Sequence, residues 1–140
     1  MKLFRKTRLL IKNIRLWLPI LKEDQQWDYV YLYEVMKHKL ELMEDLQRTV
    51  GNSVDAKVYA DEMRLVIEAL DRLIKEDYLP SEANEYYENI TVEEFVNRKE
   101  MTDEEREEHI AWFKKEEESK DKDRKFVFEY MEKNIERWWD

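Results

Sequence analysis

Residues 25–77 read QQWDYVYLYEVMKHKLELMEDLQRTVGNSVDAKVYADEMRLVIEALDRLIKED, and they contain two long apolar patterns of helical period. In residues 25–50 and again in residues 53–77, apolar side chains recur every three or four positions. Such spacing places them on one face of an α-helix. The two predicted faces consist of Tyr29, Leu32, Tyr33, Met36, Leu40, Met43 and Leu46, and of Tyr59, Met63, Val66, Ile67, Leu70, Leu73 and Ile74.

The connection between the two patterns is the short segment GNSVD, residues 51–55. Gly51 is the only glycine of the chain and stands where a left-handed residue commonly ends a helix. Asn52, Ser53 and Asp55 are candidate N-cap residues for the second helix. Because so short a connection keeps neighbouring helices side by side, the sequence predicts an antiparallel helical hairpin over residues 25–77.

Residues 1–22 precede this hairpin and carry seven Lys or Arg side chains and no acid. Their pattern predicts an amphipathic helix from about Leu3 to Leu18, which Pro19 should end or kink. A basic stripe lies on one side and an apolar stripe on the other. The basic stripe consists of Arg5, Arg8, Lys12 and Arg15, and the apolar stripe of Leu3, Leu10, Ile14, Trp17 and Leu21.

The second half of the chain contains two capping boxes, in which a threonine is followed three residues later by a glutamate. They pair Thr91 with Glu94 and Thr102 with Glu105, and each predicts a helix start. Residues 78–89 show no clear period and are expected to form a connection. Residues 114–125, KKEEESKDKDRK, contain no apolar side chain, so a solvated helix and a break both remain open. A last helix is predicted from about residue 125 to residue 138.

The composition supports an all-α fold. The 140 residues include 18 aromatic side chains but only one glycine and two prolines, too few turn residues for most sheets. We expect a single domain over residues 1–140, a small bundle of four to six helices around the central hairpin. The absence of cysteine excludes disulfides and thiolate chemistry. No apolar run approaches the ~18 residues of a membrane span.

The charge is distributed unevenly. The net charge is -9, of which residues 1–22 contribute +7 and the remaining residues -16. Residues 76–108 alone contribute -10. This asymmetry indicates that the basic helix lies on the acidic body or meets a charged partner. Because burial of its apolar stripe should outweigh surface ion pairs, we expect docking on the body first, a protein or oligomer interface next, and lipid or nucleic acid last.

Motifs for catalysis are lacking. No serine stands in a Gly-x-Ser-x-Gly elbow, and one glycine cannot form a glycine-rich phosphate loop. Neither His38 nor His109 belongs to a Glu-x-x-His pair, and His38 is interpreted as a solvated surface residue. Residues 121–132 resemble a calcium loop in their acids, but Phe126 stands where that loop needs glycine. The sequence therefore predicts a protein that is not an enzyme and has no cofactor or metal.

Two segments resemble parts of small uncharacterised proteins encoded by tailed bacteriophages. They are WDYVYLYEVMKHKLELMEDL at residues 27–46 and NIERWWD at residues 134–140. In those proteins a Trp-Asp-Tyr opening leads into a long helix, and the chain often closes on Trp-Trp-Asp. The resemblance implies a phage origin and supplies no catalytic residue. Small acidic helical phage proteins are often host-takeover or anti-defence factors, which is an argument by analogy.

The leading functional expectation is a non-enzymatic phage-type protein in the cytoplasm of a bacterial host cell. It would bind and modulate a host protein, for example as an anti-defence (anti-CRISPR-like) inhibitor. The alternative is a nucleic-acid-associated or peripheral membrane accessory protein that acts through the basic helix. A homo-oligomer also remains open. The predicted interaction residues are Arg5, Arg8, Lys12, Arg15, Trp138 and Trp139.

The two final tryptophans cannot both face the same side of a helix. Trp138 and Trp139 are adjacent, and adjacent residues point about 100° apart around a helix. One of them is therefore expected to pack inward, and the other to cap the bundle or meet a partner.

Overall fold

A computed structural model describes residues 2–22, 28–51, 53–97 and 101–139, without the side chains of residues 2–4, 95 and 139. Within these ranges the chain forms six α-helices and a closing 3-10 turn, and no strand. The all-α prediction is confirmed. The helices are α1 (Lys2–Leu21), α2 (Tyr29–Thr49), α3 (Ala56–Lys75), α4 (Ser81–Asn89), α5 (Val92–Val96) and α6 (Asp103–Asn134), and the 3-10 turn is Arg137–Trp139.

The hydrophobic core lies where α3 packs against α2 on one side and α6 on the other. α3 supplies most of it, because most of its apolar residues recur every three or four positions and turn inward, Val58 and Leu65 being the exposed exceptions. Each fully buried Val, Leu, Ile or Met side chain contributes about 1.5–3 kcal/mol. The buried core members are Tyr33, Leu40, Met43, Tyr59, Met63, Val66, Ile67, Ala69, Leu70, Leu73, Val127 and Trp138.

Polar pairs join α2 and α3 along their length. The Lys37 ammonium donates to Asp71 at 2.6 Å, and Arg48 donates to Asp61 at 2.9 Å. The partner number falls as the α2 number rises, as expected for two helices that run in opposite directions. Glu44 is buried between them, and the Nε atoms of Arg48 and Arg64 donate to one of its oxygens at 2.9 and 3.0 Å. Two guanidinium groups thus offset the cost of burying this carboxylate.

The turn between α2 and α3 differs from the prediction for Gly51. Gly51 does not have a positive φ, and α2 ends at Thr49 with Val50 as its cap. The left-handed residue is instead Glu76, with φ 51°, at the end of α3. The turn needs glycine for a different reason: a Cβ on residue 51 would lie 2.3 Å from the Gln47 carbonyl oxygen. Close approach of the backbone, rather than handedness, selects glycine here.

The N-terminus of α3 lacks a side-chain capping hydrogen bond, although N-cap candidates were predicted there. Asp55 is the N-cap residue, but its carboxylate makes no capping hydrogen bond. The Ser53 hydroxyl oxygen instead accepts a hydrogen bond from the Asp55 backbone N–H at 3.2 Å. Asn52, the third candidate, lies outside the described residues.

α1 does not end at Leu18, as predicted, but continues through Pro19 to Leu21. Proline removes one backbone donor and disfavours helix at the preceding residue. Here the helix ends two residues after Pro19, so the proline lies in its last turn. The Ile20 carbonyl, which has no donor within the last turn, accepts a hydrogen bond from the Tyr31 hydroxyl at 3.0 Å. Contact with α2 thus supports the final turn of α1.

The two predicted capping boxes are both present. The Thr91 hydroxyl accepts from the Glu94 N–H, the Thr102 hydroxyl accepts from the Glu105 N–H, and each glutamate returns a bond to the threonine backbone. These boxes start α5 and α6. α4 was not predicted; it begins directly after Pro80 and buries only Ala83, so its sequence has little apolar period.

α6 is one continuous helix of 32 residues, so residues 114–125 are helical and not a break. Their charges bond along and across helices: Lys114 lies 3.9 Å from Glu118, and Asp123 accepts from Arg72 of α3 at 2.7 Å. Residues 121–132, in which a calcium loop was rejected because Phe126 replaces the required glycine, are part of this helix. α6 ends at Asn134, earlier than the predicted residue 138, and the 3-10 turn follows.

Candidate functional site

Residues 5–16 of α1 form a helical arm that is exposed on every side. The apolar stripe expected to dock on the body is open: Leu10 is 58% exposed and Ile14 is 50% exposed. Leu18 and Leu21, farther along the same stripe, are also exposed. The prediction that this stripe packs on the protein's own body is therefore wrong, apart from one contact at Trp17. A contiguous exposed apolar stripe of this kind is uncommon on the surface of monomeric proteins.

Trp17 is the half-buried exception and marks where the arm joins the body. Its ring meets the His38 ring of α2 edge-on, with 5.2 Å between the ring centroids. His38 Nε2 lies 2.8 Å from the Leu16 carbonyl oxygen, which can only accept, so Nε2 carries the proton. His38 is thus a half-buried bridge between α1 and α2 rather than the expected solvated residue. The sequence concealed this role because the bond is made to a backbone atom.

The four predicted basic residues of α1, Arg5, Arg8, Lys12 and Arg15, are all exposed. They fall on one flank of the arm and line a shallow groove along it together with shorter side chains. With no acid in residues 1–22, the arm keeps a uniformly positive character. The groove is lined by Arg5, Thr7, Arg8, Leu9, Ile11, Lys12, Arg15 and Leu16.

The two predicted interaction residues Trp138 and Trp139 have different outcomes. Trp138 is completely buried, its Nε1–H donates to Glu62, and its carbonyl accepts from Gln47. It is a core residue and does not offer a contact surface. The Trp139 side chain lies outside the described residues. The structure therefore places the four basic residues together on one flank of α1, and it buries Trp138 in the core, where it bonds to Gln47 of α2 and Glu62 of α3.

A second cluster, absent from the sequence-based predictions, joins α4 to α6. The rings of Tyr86 and Tyr87 surround His109, with centroid distances of 4.9 and 5.7 Å. The Tyr87 hydroxyl lies 3.1 Å from His109 Nδ1. Trp112, one turn on from His109, closes the cluster and is 8% exposed. Adjacent tyrosines and a His-x-x-Trp spacing were the available sequence signals.

This aromatic cluster opens onto a shallow acidic depression of about 600 Å³. Helices α4, α5 and α6 contribute its walls. Ring contacts of this kind contribute about 0.5–1.5 kcal/mol each, so the cluster helps to hold α4 against α6. The depression is lined by Glu82, Glu85, Tyr86, Asn89, Ile90, Glu94, Glu108 and Trp112.

Three side chains at the contacts of α3 with its neighbours have shifted pKa values, two because of paired cations and one because of burial. The Arg72 guanidinium holds the pKa of Asp123 below its ordinary value, and burial raises the pKa of Tyr78, whose hydroxyl donates to Asp123 at 2.9 Å. Lys37 and Lys75 lower the pKa of Asp71 to about 2. These groups tie α3 to its neighbours, and their geometry is that of structural ion pairs.

Among the described residues, His, Asp and Glu side chains nowhere form a group of three or more that could hold a metal ion. None of the helices in those ranges has the combination of length and apolar character that a membrane span requires. Comparison of the chain with protein-family models, curated proteins and solved structures finds no match.

Proposed function

We propose that this chain is a non-enzymatic interaction protein that uses α1 as its contact element. In this proposal the helices form a small bundle around the α2–α3 hairpin, and the bundle presents the arm, residues 5–16. The observation that supports it is the exposed stripe of Leu10, Ile14 and Leu18 on a segment that is also uniformly basic.

The stability of the arm supports the same proposal. Helical stability in proteins comes mostly from packing of the apolar face rather than from the intrinsic propensity of the residues. The arm has no such packing over residues 5–16. A partner that covers the stripe would supply it, and the contact with Trp17 would position the arm for that partner.

The proposed setting is the cytoplasm of a bacterial host cell, where a phage-type protein binds and modulates a host protein such as a defence component. The phage-like segments at residues 27–46 and 134–140 support this setting. In this proposal α1 brings the chain to its place of action. Binding of the arm to nucleic acid is the alternative, and the basic stripe supports it, but the apolar stripe would then remain in water.

The absence of cysteine makes a direct test possible. Single thiols are introduced as Leu10→Cys or Ile14→Cys on the apolar stripe, and as Glu117→Cys at an exposed position of α6 for control. Each variant is expressed in bacterial cells, and its reaction with a maleimide is compared between cells and purified protein. We expect the α1 thiols to react severalfold more slowly in cells, and the α6 thiol to react at equal rates.

Two results bear on the proposal directly. If the Leu10→Cys and Ile14→Cys thiols react as fast in cells as in purified protein, α1 is uncovered and the proposal is wrong. Circular dichroism of each purified variant should match that of the unmodified chain, because both α1 positions are exposed and surface substitutions usually change stability by less than about 0.5 kcal/mol.

A further inference from the structure

From the arrangement of charged and apolar side chains on α1, we infer that its partner is the surface of a lipid bilayer containing anionic phospholipid. The inference rests on the proposed function, in which α1 is the contact element, and it names the chemistry of what α1 contacts. It concerns a helix that lies in the headgroup region, parallel to the bilayer surface.

Six apolar residues of α1 form one broad sector, whereas Leu9 and Leu16 lie outside it on the far side of the helix. At about 100° per residue, Trp17, Leu10, Leu21, Ile14, Leu18 and Ile11 fall in succession within roughly 120° of the helix circumference. All but Trp17 are exposed. A sector of this width, on a helix too polar to span a bilayer, is typical of helices that bury one face among lipid acyl chains.

Basic residues border that sector on both edges. Lys6 is four residues before Leu10, and Arg15 is four residues after Ile11, so each stands next to an edge of the sector. Lys and Arg stems can lie along apolar surface while their charged ends reach phosphate. Lys12 lies nearly opposite the centre of the sector, on the side that would face water. Apart from Leu9 and Leu16, which share the side of Lys12, this order matches the depth profile of a bilayer surface, from apolar interior through phosphate to water.

Charge complementarity favours an anionic bilayer over the other occupants. Nucleic acid would meet the basic side chains and leave the apolar sector exposed. A second copy offers acidic residues, but it would also have to offer an apolar groove that fits the whole sector. A bilayer supplies negative charge and apolar depth together, and it needs no shaped groove.

The acidic body does not cancel this attraction. Residues 23–140 carry a net charge of -16, which an anionic bilayer repels. The arm, residues 5–16, is exposed on all sides and spans about 18 Å along its axis. At ionic strengths near 0.1 M, charges are screened over about 10 Å. α1 meets the body at Trp17, and Arg5 and Arg8 lie about 18 and 14 Å from that residue along the helix axis. Both can therefore contact phosphate beyond the screening distance from this junction.

The test uses the full chain and vesicles of two compositions: phosphatidylglycerol with phosphatidylcholine in equal parts, and phosphatidylcholine alone. An environment-sensitive fluorophore is attached through Leu10→Cys, Ile14→Cys or the control Glu117→Cys. We expect sedimentation with the mixed vesicles only, weaker binding as salt rises, and a blue shift for the two α1 positions but not for the α6 position.

Matched variants test whether vesicle binding depends on the basic and apolar stripes of α1 or on any exposed apolar surface of the protein. The charge variant carries Arg5→Gln, Arg8→Gln, Lys12→Gln and Arg15→Gln, and the apolar variant carries Leu10→Gln and Ile14→Gln. The control carries Ile110→Gln and Phe113→Gln, an exposed apolar pair on α6. We expect the charge variant to bind mixed vesicles more than about tenfold more weakly, since each basic residue near an anionic surface contributes attraction. The apolar variant should also lose binding, and the control should bind like the unmodified chain.

Three outcomes would overturn the inference: no binding of the unmodified chain to mixed vesicles at low salt, equal binding to both vesicle types, or equal loss for the α6 control. If vesicles fail to bind while the Leu10→Cys thiol stays protected in cells, the bilayer is wrong but α1 is still a contact element. If that thiol is unprotected as well, the inference and the proposed function both fail.

Discussion

The indole Nε1–H of Trp138 donates a hydrogen bond to Glu62 Oε2 at 2.9 Å and so joins the closing turn of the chain to α3. The Trp138 carbonyl also accepts from Gln47 Nε2 of α2 at 2.9 Å. One buried residue after α6 therefore contacts both central helices. A donor and an acceptor of this residue are satisfied in the core, which is the usual condition for burying tryptophan at low cost.

Replacement of this anchor should have a large effect on stability. We expect Trp138→Ala to lower the free energy of unfolding by about 3–5 kcal/mol, because a fully buried Trp side chain leaves a cavity. Urea unfolding followed by circular dichroism measures it. Phe128→Ala, which removes an exposed aromatic ring from α6, should cost less than about 0.5 kcal/mol. Equal urea midpoints for the two variants would show that Trp138 is not part of the core.

Local signals were the part of the fold that the sequence revealed. The capping boxes at Thr91 and Thr102 depend on side chains three residues apart, so they can be read without knowledge of tertiary structure. The apolar face of α3 follows from helical period alone. The predicted face of α2 is right only in part, because Tyr29, Leu32 and Leu46 are exposed while Tyr33, Leu40 and Met43 are buried. Burial of one terminal tryptophan was also predictable, because a large apolar side chain is costly to expose.

Long-range contacts were the part that the sequence concealed. Residues 114–125 have no apolar period, and the contact of Asp123 with Arg72 of α3, which joins this segment to the core helices, is long-range. The position of α1 depends on what Trp17 meets on α2, which no local pattern encodes. The four basic residues of the candidate site were named from sequence, but their exposure on a projecting arm required the structure.

Gly51 provides a test of why the α2–α3 turn needs glycine. A Cβ at this position would lie 2.3 Å from the Gln47 carbonyl oxygen and 2.4 Å from the Ala56 Cβ. We expect Gly51→Ala to lower the free energy of unfolding by about 1–3 kcal/mol through overpacking, measured by urea unfolding. Val50→Ala, at an exposed neighbouring position, is the control. Asparagine tolerates left-handed backbone better than alanine, so a Gly51→Asn protein much more stable than Gly51→Ala would contradict the steric explanation.

Glu76 is the residue whose backbone does favour glycine, because its φ is 51°. The side chain also accepts a hydrogen bond from the Tyr29 hydroxyl at 2.9 Å, so any substitution removes that contact. Glu76→Gly and Glu76→Ala both remove this hydrogen bond. They differ in that glycine adopts the left-handed backbone conformation without the strain that a Cβ causes in alanine. We expect the glycine variant to be more stable than the alanine variant by about 1–2 kcal/mol in thermal or urea unfolding. Equal stabilities would mean that α3 does not end in a left-handed residue.

Asp71 should make part of the stability depend on pH. Its carboxylate accepts hydrogen bonds from Lys37 and from Lys75, which lower its pKa from 3.8 to about 2. A carboxyl group with a lower pKa in the folded state stabilises the fold fully above its unfolded pKa, and this contribution is lost as the pH falls through the folded pKa. The stability difference between the unmodified chain and Asp71→Asn should thus be constant above about pH 5 and should narrow between about pH 4 and 2. Thermal melts at a series of pH values measure the difference.

A second variant tests the cause of this pKa shift. In a Lys37→Met background, which removes the largest cause of the shift, Asp71→Asn should have a smaller effect on stability at pH 7. A difference that stays constant down to pH 2, or is unchanged by Lys37→Met, would show that the Lys37–Asp71 contact does not couple α2 to α3.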